Sequence, residues 1–289
     1  MGLLLVTPTA RLRRVVRRLT GDTSSPLQGR VVLVTGASSG IGEATAVQAA
    51  ARGARVLLVA RRADELERVR AAIAAAGGHA AAYPCDLVDG DAVDALVARV
   101  LAEHGAVDYL VNNAGRSIRR SLHLSYDRFH DVERTMAINF FAPVRLTLGL
   151  LPGMREQRFG HVVNVLSWGV QLKAPKFSAY LASKTALDVW SRIAGRETWA
   201  DNVTFTNMRL GAVRTDMLVP TGASEDRKAV TAEQAAERVV RALEDRPVTV
   251  NERGGTPGEL LGIIAPRVSD VLMARYHRRT PDTERAEGR

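Results

Sequence analysis

The chain has 289 residues, 46% hydrophobic and 25% charged, which is apolar enough for a real core and excludes a disordered chain. Its one cysteine, Cys85, excludes an intrachain disulfide framework and suits a reducing cytoplasm. The net charge of +9 suggests nucleic acid until it is located: residues 1–30 hold six arginines against one acid, residues 266–289 six against four, and the stretch between is nearly balanced. A nucleic-acid groove binder would carry its charge on the folded face, so no nucleic-acid partner is expected.

Residues 1–29 read as an appendage that ends in the turn-rich GDTSSPLQG. Its apolar residues precede its arginines, the reverse of a secretory signal. Leu12, Val15, Val16 and Leu19 follow helical spacing, with Arg11, Arg13, Arg14, Arg17 and Arg18 on the other face. Residues 1–20 therefore suit peripheral contact with an anionic inner-membrane surface, and equally a solvated arm or subunit contact. No uninterrupted apolar run approaches the ~20 residues that span a bilayer.

From residue 30 the pattern becomes regular. Apolar, β-branched runs at 30–35, 54–60, 107–113, 161–167 and 203–210 predict strands, with weaker candidates at 79–85 and 248–252. The runs are continuous rather than alternating, as in strands covered on both faces. Helical stretches at 63–76, 91–104, 131–150, 178–199 and 231–244 lie between them. This alternation predicts one Rossmann-like α/β domain over residues 30–252: a doubly wound, parallel, seven-stranded sheet with helices on both faces. Residues 253–289 would then be a C-terminal tail whose apolar residues either cover the substrate or dock on the sheet or another subunit.

TGASSGIG (35–42) follows the first strand, with Gly36, Gly40 and Gly42 spaced G-x-x-x-G-x-G. A turn free of side chains brings backbone N–H groups and the positive helix end up to a pyrophosphate. After the second strand come Arg61 and Arg62, where NAD sites usually place an acid. Two guanidiniums and no carboxylate at that point favour NADP(H). Asp86, after the third strand, is positioned to accept from an adenine amine. In YLASK (180–184) a phenol and an ammonium share one helix face, an arrangement that would favour the phenolate.

With TGASSGIG, NNAG (112–115) and YLASK in this order, the chain resembles the short-chain dehydrogenase/reductase family over roughly residues 28–250. The resemblance implies a catalytic set of Asn139, Ser167, Tyr180 and Lys184. Tyr180 would be the acid/base, Lys184 would lower its pKa and hold the nicotinamide ribose, Ser167 would polarise the carbonyl, and Asn139 would keep a relay water in place. It also implies a cofactor-binding set of Gly36, Ser38, Ser39, Gly40, Ile41, Arg61, Arg62, Asp86, Leu87, Asn113, Ala114, Gly115, Tyr180, Lys184 and Thr215. Asn112 and the Ala114–Gly115 turn would close the cofactor cleft. The six histidines and one cysteine show no metal-ligand spacing. Arg209–Leu210–Gly211 stands where the family usually shows Pro-Gly. The resemblance further suggests a homodimer or homotetramer built on helices near 135–150 and 180–199.

NNAGRSIRRS (112–121), DRFHD (127–131), RFGHVVNV (158–165), TFTN (204–207) and LLGIIAPRVSDVLMARY (260–276) resemble the reductase domains of actinobacterial fatty acyl-CoA reductases. That narrower resemblance implies NADPH-dependent reduction of an acyl thioester or aldehyde. The alternatives are a general ketone or alcohol oxidoreductase of steroid-like or xenobiotic compounds, and a non-catalytic dinucleotide-binding module. Arg116, Arg119 and Arg120 are candidates to meet the phosphates of a CoA-type substrate.

Overall fold

The computed structural model describes residues 24–217, 229–283 and 286. The basic stretch 1–20 and its membrane or subunit contact lie outside the described residues. Seven strands, β1 (Val31–Thr35), β2 (Arg55–Ala60), β3 (His79–Pro84), β4 (Tyr109–Asn112), β5 (Gly160–Ser167), β6 (Val203–Leu210) and β7 (Thr249–Asn251), form one sheet. Its order is β3-β2-β1-β4-β5-β6-β7, and every pairing is parallel. The chain winds outward from β1 in one direction and returns through β4 in the other, so the crevice lies at the carboxyl ends of β1 and β4.

Alternate strand residues feed two cores. Val32, Val34, Val56 and Leu58 pack with α1 (Gly40–Ala50), α2 (Ala63–Ala75) and α8 (Ala232–Asp245). Leu33, Leu57, Val59 and Leu110 pack on the opposite face with α3 (Gly90–His104) and α5 (Ala142–Glu156). These side chains are nearly or fully buried, each contributing about 1.5–3 kcal/mol, which is why the strands read as unbroken apolar runs. β3 is an edge strand whose alanines are only half buried, which explains its weak pattern.

The predicted helix at 131–150 is longer and not uniform. α4 (Phe129–Met136) leads into a π-helical turn, Ala137–Phe141, and then α5. By length and composition Phe129–Glu156 is the one helix among the described residues that could cross a membrane, because its apolar stretch is interrupted by little beyond Arg145. Leu146, Leu150 and Met154 instead pack into the sheet core, and Arg145 pairs with Asp94 on α3.

A short α6 (Gly169–Leu172) follows β5, and α7 (Ser178–Glu197) packs along β5 and β6. Beyond β7 the stretch 253–279 forms two helices, α9 (Gly255–Ile264) and α10 (Pro266–Arg279). α9 lies on α6, close enough that a Cβ on Gly258 would sit 2.2 Å from Leu172 Cδ2.

Candidate active site

A cleft of about 890 Å³ runs across the carboxyl ends of the strands. One wall is the turn after β1. Gly36 and Gly40 have φ of +66° and +57°, the left-handed region that glycine adopts without strain. A Cβ on Gly42 would sit 2.2 Å from the Gly36 carbonyl oxygen, so the turn closes only without side chains. Ser39 caps α1 without a side-chain hydrogen bond, leaving first-turn N–H groups at the cleft. Thr35 braces this wall against the next loop: its Oγ1 donates to Val111 O (3.1 Å) and accepts from the N–H groups of Asn113 (2.9 Å) and Ala114 (3.0 Å). The Asn113 amide donates to Thr35 O (2.9 Å). Thr35 was not singled out in the sequence, although it opens the glycine motif.

Gly36, Ser38, Ser39, Gly40, Ile41, Arg61, Arg62, Asp86, Leu87, Asn113, Ala114, Gly115, Ser167, Tyr180, Lys184 and Thr215 all line this cleft. Arg62 leans over the glycine turn, donating to Ser38 Oγ (3.3 Å). Neither Arg61 nor Arg62 makes an ion pair among the described residues, whereas nearby Arg68 is taken by Glu43 and Glu65. A nucleotide phosphate therefore fits this end: a positive helix terminus, a turn without side chains and two unpaired guanidiniums converge on it. Asp86, which lines the cleft, accepts from Val88 N (3.1 Å) in an Asx turn.

Two expected residues lie elsewhere. Asn112 does not close the cleft. As the last residue of β4 it is in register with Asn164 of β5, which is in register with Asn207 of β6, and the three amides form a buried ladder under α7. Asn112 donates to Asn164 Oδ1 (2.9 Å) and Asn164 to Asn207 Oδ1 (3.1 Å). Period-two alternation turns Asn113, not Asn112, to the cleft. Asn139 is fully buried behind the cleft in the π turn. Its Oδ1 accepts from Arg116 N, and its Nδ2 donates to Arg116 O and Ser183 Oγ, each at 2.9 Å. A side chain committed to three protein bonds ties the 113–116 loop to α7, and the extra residue of a π turn aims it there. Gly115 must be glycine, since a Cβ would sit 2.8 Å from Asn139 Oδ1 and 3.2 Å from Lys184 Nζ.

The far end of the cleft holds Ser167, the last residue of β5, and Tyr180 and Lys184, one turn apart on α7. Burial pushes the Tyr180 phenol up to about 12, and a hydrogen bond with Ser167 acts against that rise. Desolvation pushes the Lys184 ammonium down to about 8, and it donates to Val165 O at 2.9 Å. The phenol thus stands above its ordinary value, not below it as the Tyr–Lys spacing suggested. Both groups are desolvated together, and the ammonium's hydrogen bond goes to a backbone carbonyl. Arg209, which precedes Leu210–Gly211, forks onto Asp188 (2.7 and 3.1 Å) one turn beyond Lys184 and reaches Glu259 of α9 at 3.6 Å. It ties the end of β6 to both helices.

Trp168, Phe177, Met217 and Tyr276 add an apolar mouth that sequence reading did not assign. They come from four separate segments, and no short motif unites them. Arg116 lines the cleft as expected, but the rest of the arginine trio does not. Arg119 donates to Pro281 O (2.8 Å), and Arg120 bonds Ala286 O and pairs with Asp131 (3.2 Å). Asp282 fastens the same C-terminal strap, accepting from Ser121 Oγ (2.6 Å) and pairing with Lys176 (3.3 Å).

The short chain dehydrogenase family model matches residues 30–226. The chain belongs to the short-chain dehydrogenase family. It is 45% identical over 248 residues to a fatty acyl-CoA reductase of Acinetobacter baylyi, covering 86% of this chain and 84% of that one. It is 47% identical over 250 residues to a fatty acyl-CoA reductase of Mycobacterium tuberculosis, covering 86% and 85%. Among solved structures, a metagenomic short-chain oxidoreductase in complex with NADP superposes with a TM-score of 0.68 at 33% identity, covering 78% of this chain and 97% of that one. This short-chain dehydrogenase is therefore an oxidoreductase with a nicotinamide dinucleotide site.

Proposed function

We propose that this short-chain dehydrogenase reduces a hydrophobic carbonyl, a fatty acyl-CoA or fatty aldehyde, with NADPH. The observation that carries the reading is one cleft with two arginines free of ion pairs among the described residues at its nucleotide end, and Ser167, Tyr180 and Lys184 lining its other end beside an apolar mouth. The acyl reading draws further support from the two fatty acyl-CoA reductases that share nearly half their residues with this chain.

Arg61 and Arg62 hold the 2′-phosphate, and the first turn of α1 holds the pyrophosphate. When bound, the reduced nicotinamide supplies the hydride to the carbonyl carbon. Ser167 Oγ and the Tyr180 hydroxyl donate to the carbonyl oxygen as charge develops on it. A phenol with a pKa of about 12 is fully protonated at neutral pH, the form a reduction needs, and it yields that proton to the new alkoxide. An aldehyde thereby becomes the alcohol, and an acyl-CoA becomes a thiohemiacetal that releases the CoA thiol to leave the aldehyde. Lys184, with its ammonium beside Gly115 and Asn139, holds the ribose and recharges the phenol. Asn139 positions the loop and α7, and any relay water is held by the backbone around it. Arg116 meets the CoA phosphates at the mouth. No metal enters this scheme, and no group of metal-ligating side chains is present among the described residues.

Exposed Phe141, Leu148, Val189 and Ile193 on the π turn, α5 and α7 form the contact of a homo-oligomer. The buried Cys85 thiol suits a cytoplasmic setting. NADPH oxidation measured against acyl-CoAs, fatty aldehydes, ketones and steroids tests the substrate class. Turnover confined to ketones or steroids would replace the acyl reading with that of a general carbonyl reductase, and cofactor binding without any turnover would point to a binding module.

A further inference from the structure

The described surface has an apolar patch outside the oligomer helices and away from the cleft floor. α10 buries none of its residues, and α9 buries only Gly255. Ile263 and Ile264 are 68% and 78% exposed, and Leu260, Val268, Val271 and Leu272 stand 44–52% exposed beside them. The two helices pack on each other as a hairpin, with Gly262 in ordinary contact distance of Ser269. Burying that many branched side chains is worth more than the local fold obtains by exposing them, so the face is built for a partner.

Charge decides which partner. α10 carries Arg267, Arg275, Arg278 and Arg279 against one acid, Asp270. The acid of α9, Glu259, is already occupied by Arg209 (3.6 Å) and Gln171 (2.8 Å). A second copy of this hairpin would set four arginines against four, with only the single Asp270 of each copy to answer them. A bilayer with anionic headgroups answers both features, taking the branched side chains into its acyl boundary and the guanidiniums at phosphate level. Tyr276 belongs to both regions, lying on α10 and lining the cleft mouth.

We propose that the α9–α10 hairpin is a docking surface for an anionic lipid bilayer, seating the cleft mouth at headgroup level. Its use, direct entry of a membrane-partitioned acyl substrate, rests on the reading above, whereas the binding itself does not. The test is co-sedimentation of the full chain with phosphatidylcholine vesicles with and without phosphatidylglycerol. The full chain pellets with the anionic vesicles. The Ile263→Asp/Ile264→Asp variant and the Arg267→Glu/Arg275→Glu variant each lose binding by roughly tenfold or more, with NADPH binding unchanged as the check on folding.

Pelleting of both variants at the full chain's level overturns the proposal, even if residues 1–29 bind vesicles by themselves. It is equally overturned if the variants halve the mass seen by light scattering while vesicle binding persists, since the hairpin is then a subunit contact. No turnover is read, so an acyl-CoA panel without activity leaves a positive binding result standing.

Discussion

Two arginine pairs follow strands in this chain, and they meet opposite fates. Arg61–Arg62, after β2, stand at the cleft without ion pairs among the described residues, one of them resting on Ser38. Arg119–Arg120, after β4, look the same in sequence but are held by the chain's own C-terminal strap through Pro281 and Ala286. The lesson is that a guanidinium is available to a phosphate only where the fold leaves it without a carboxylate or carbonyl. Local sequence does not report that.

The largest effect is expected inside the cleft, where Tyr180→Phe removes the proposed proton donor. The rate constant kcat falls about 10²–10⁴-fold with NADPH binding retained, measured by NADPH oxidation and cofactor fluorescence. Undiminished turnover would remove Tyr180 from the mechanism. Next, Arg61→Ala/Arg62→Ala raises the KM for NADPH about 10–100-fold while the KM for NADH changes little, because a 2′-phosphate loses its charge-assisted bonds. Equal effects on both cofactors would mean that the pair does not read the phosphate.

On the strap side the effects move from kinetics to stability. Asp282→Ala leaves the Ser121 hydroxyl without its acceptor and Lys176 with only the Thr280 carbonyl, and costs about 1–3 kcal/mol in chemical denaturation. Burial alone would raise the Asp282 carboxyl, but the Ser121 hydrogen bond and the Lys176 ammonium outweigh it and hold the pKa below the usual value. A depressed carboxylate stabilises the fold above its unfolded pKa and loses that contribution as pH falls through the folded one. The difference between the parent and Asp282→Ala should therefore be full at neutral pH and shrink under acid. The smallest effect is expected from Arg119→Ala, within about 1 kcal/mol of stability and with an unchanged KM for an acyl-CoA. A several-fold rise in that KM would return Arg119 to the substrate site.

Much of the cleft was legible because its parts are local. Gly36, Gly40 and Gly42 report a turn that only glycine can make, and Tyr180 and Lys184 share a helix face by spacing alone. β3 was faint because an edge strand half buries its alanines, and the π turn at Asn139 was invisible because one inserted residue leaves the helical pattern intact. The rise of the Tyr180 pKa was missed for a related reason: a neighbour's charge is visible in sequence, whereas desolvation depends on what packs around both groups.

Strand runs, helix periods and the glycine turn are short-range properties, set by side-chain sterics and burial within one element, and these alone specified a doubly wound sheet with a dinucleotide site. Contacts between residues far apart in the chain were decided by packing. Arg119 meets Pro281 162 residues away, Asn112 joins Asn164 and Asn207 through strand register, and α9 and α10 present an apolar face outward. Each of these depends on which elements become neighbours, and no local pattern carries that information.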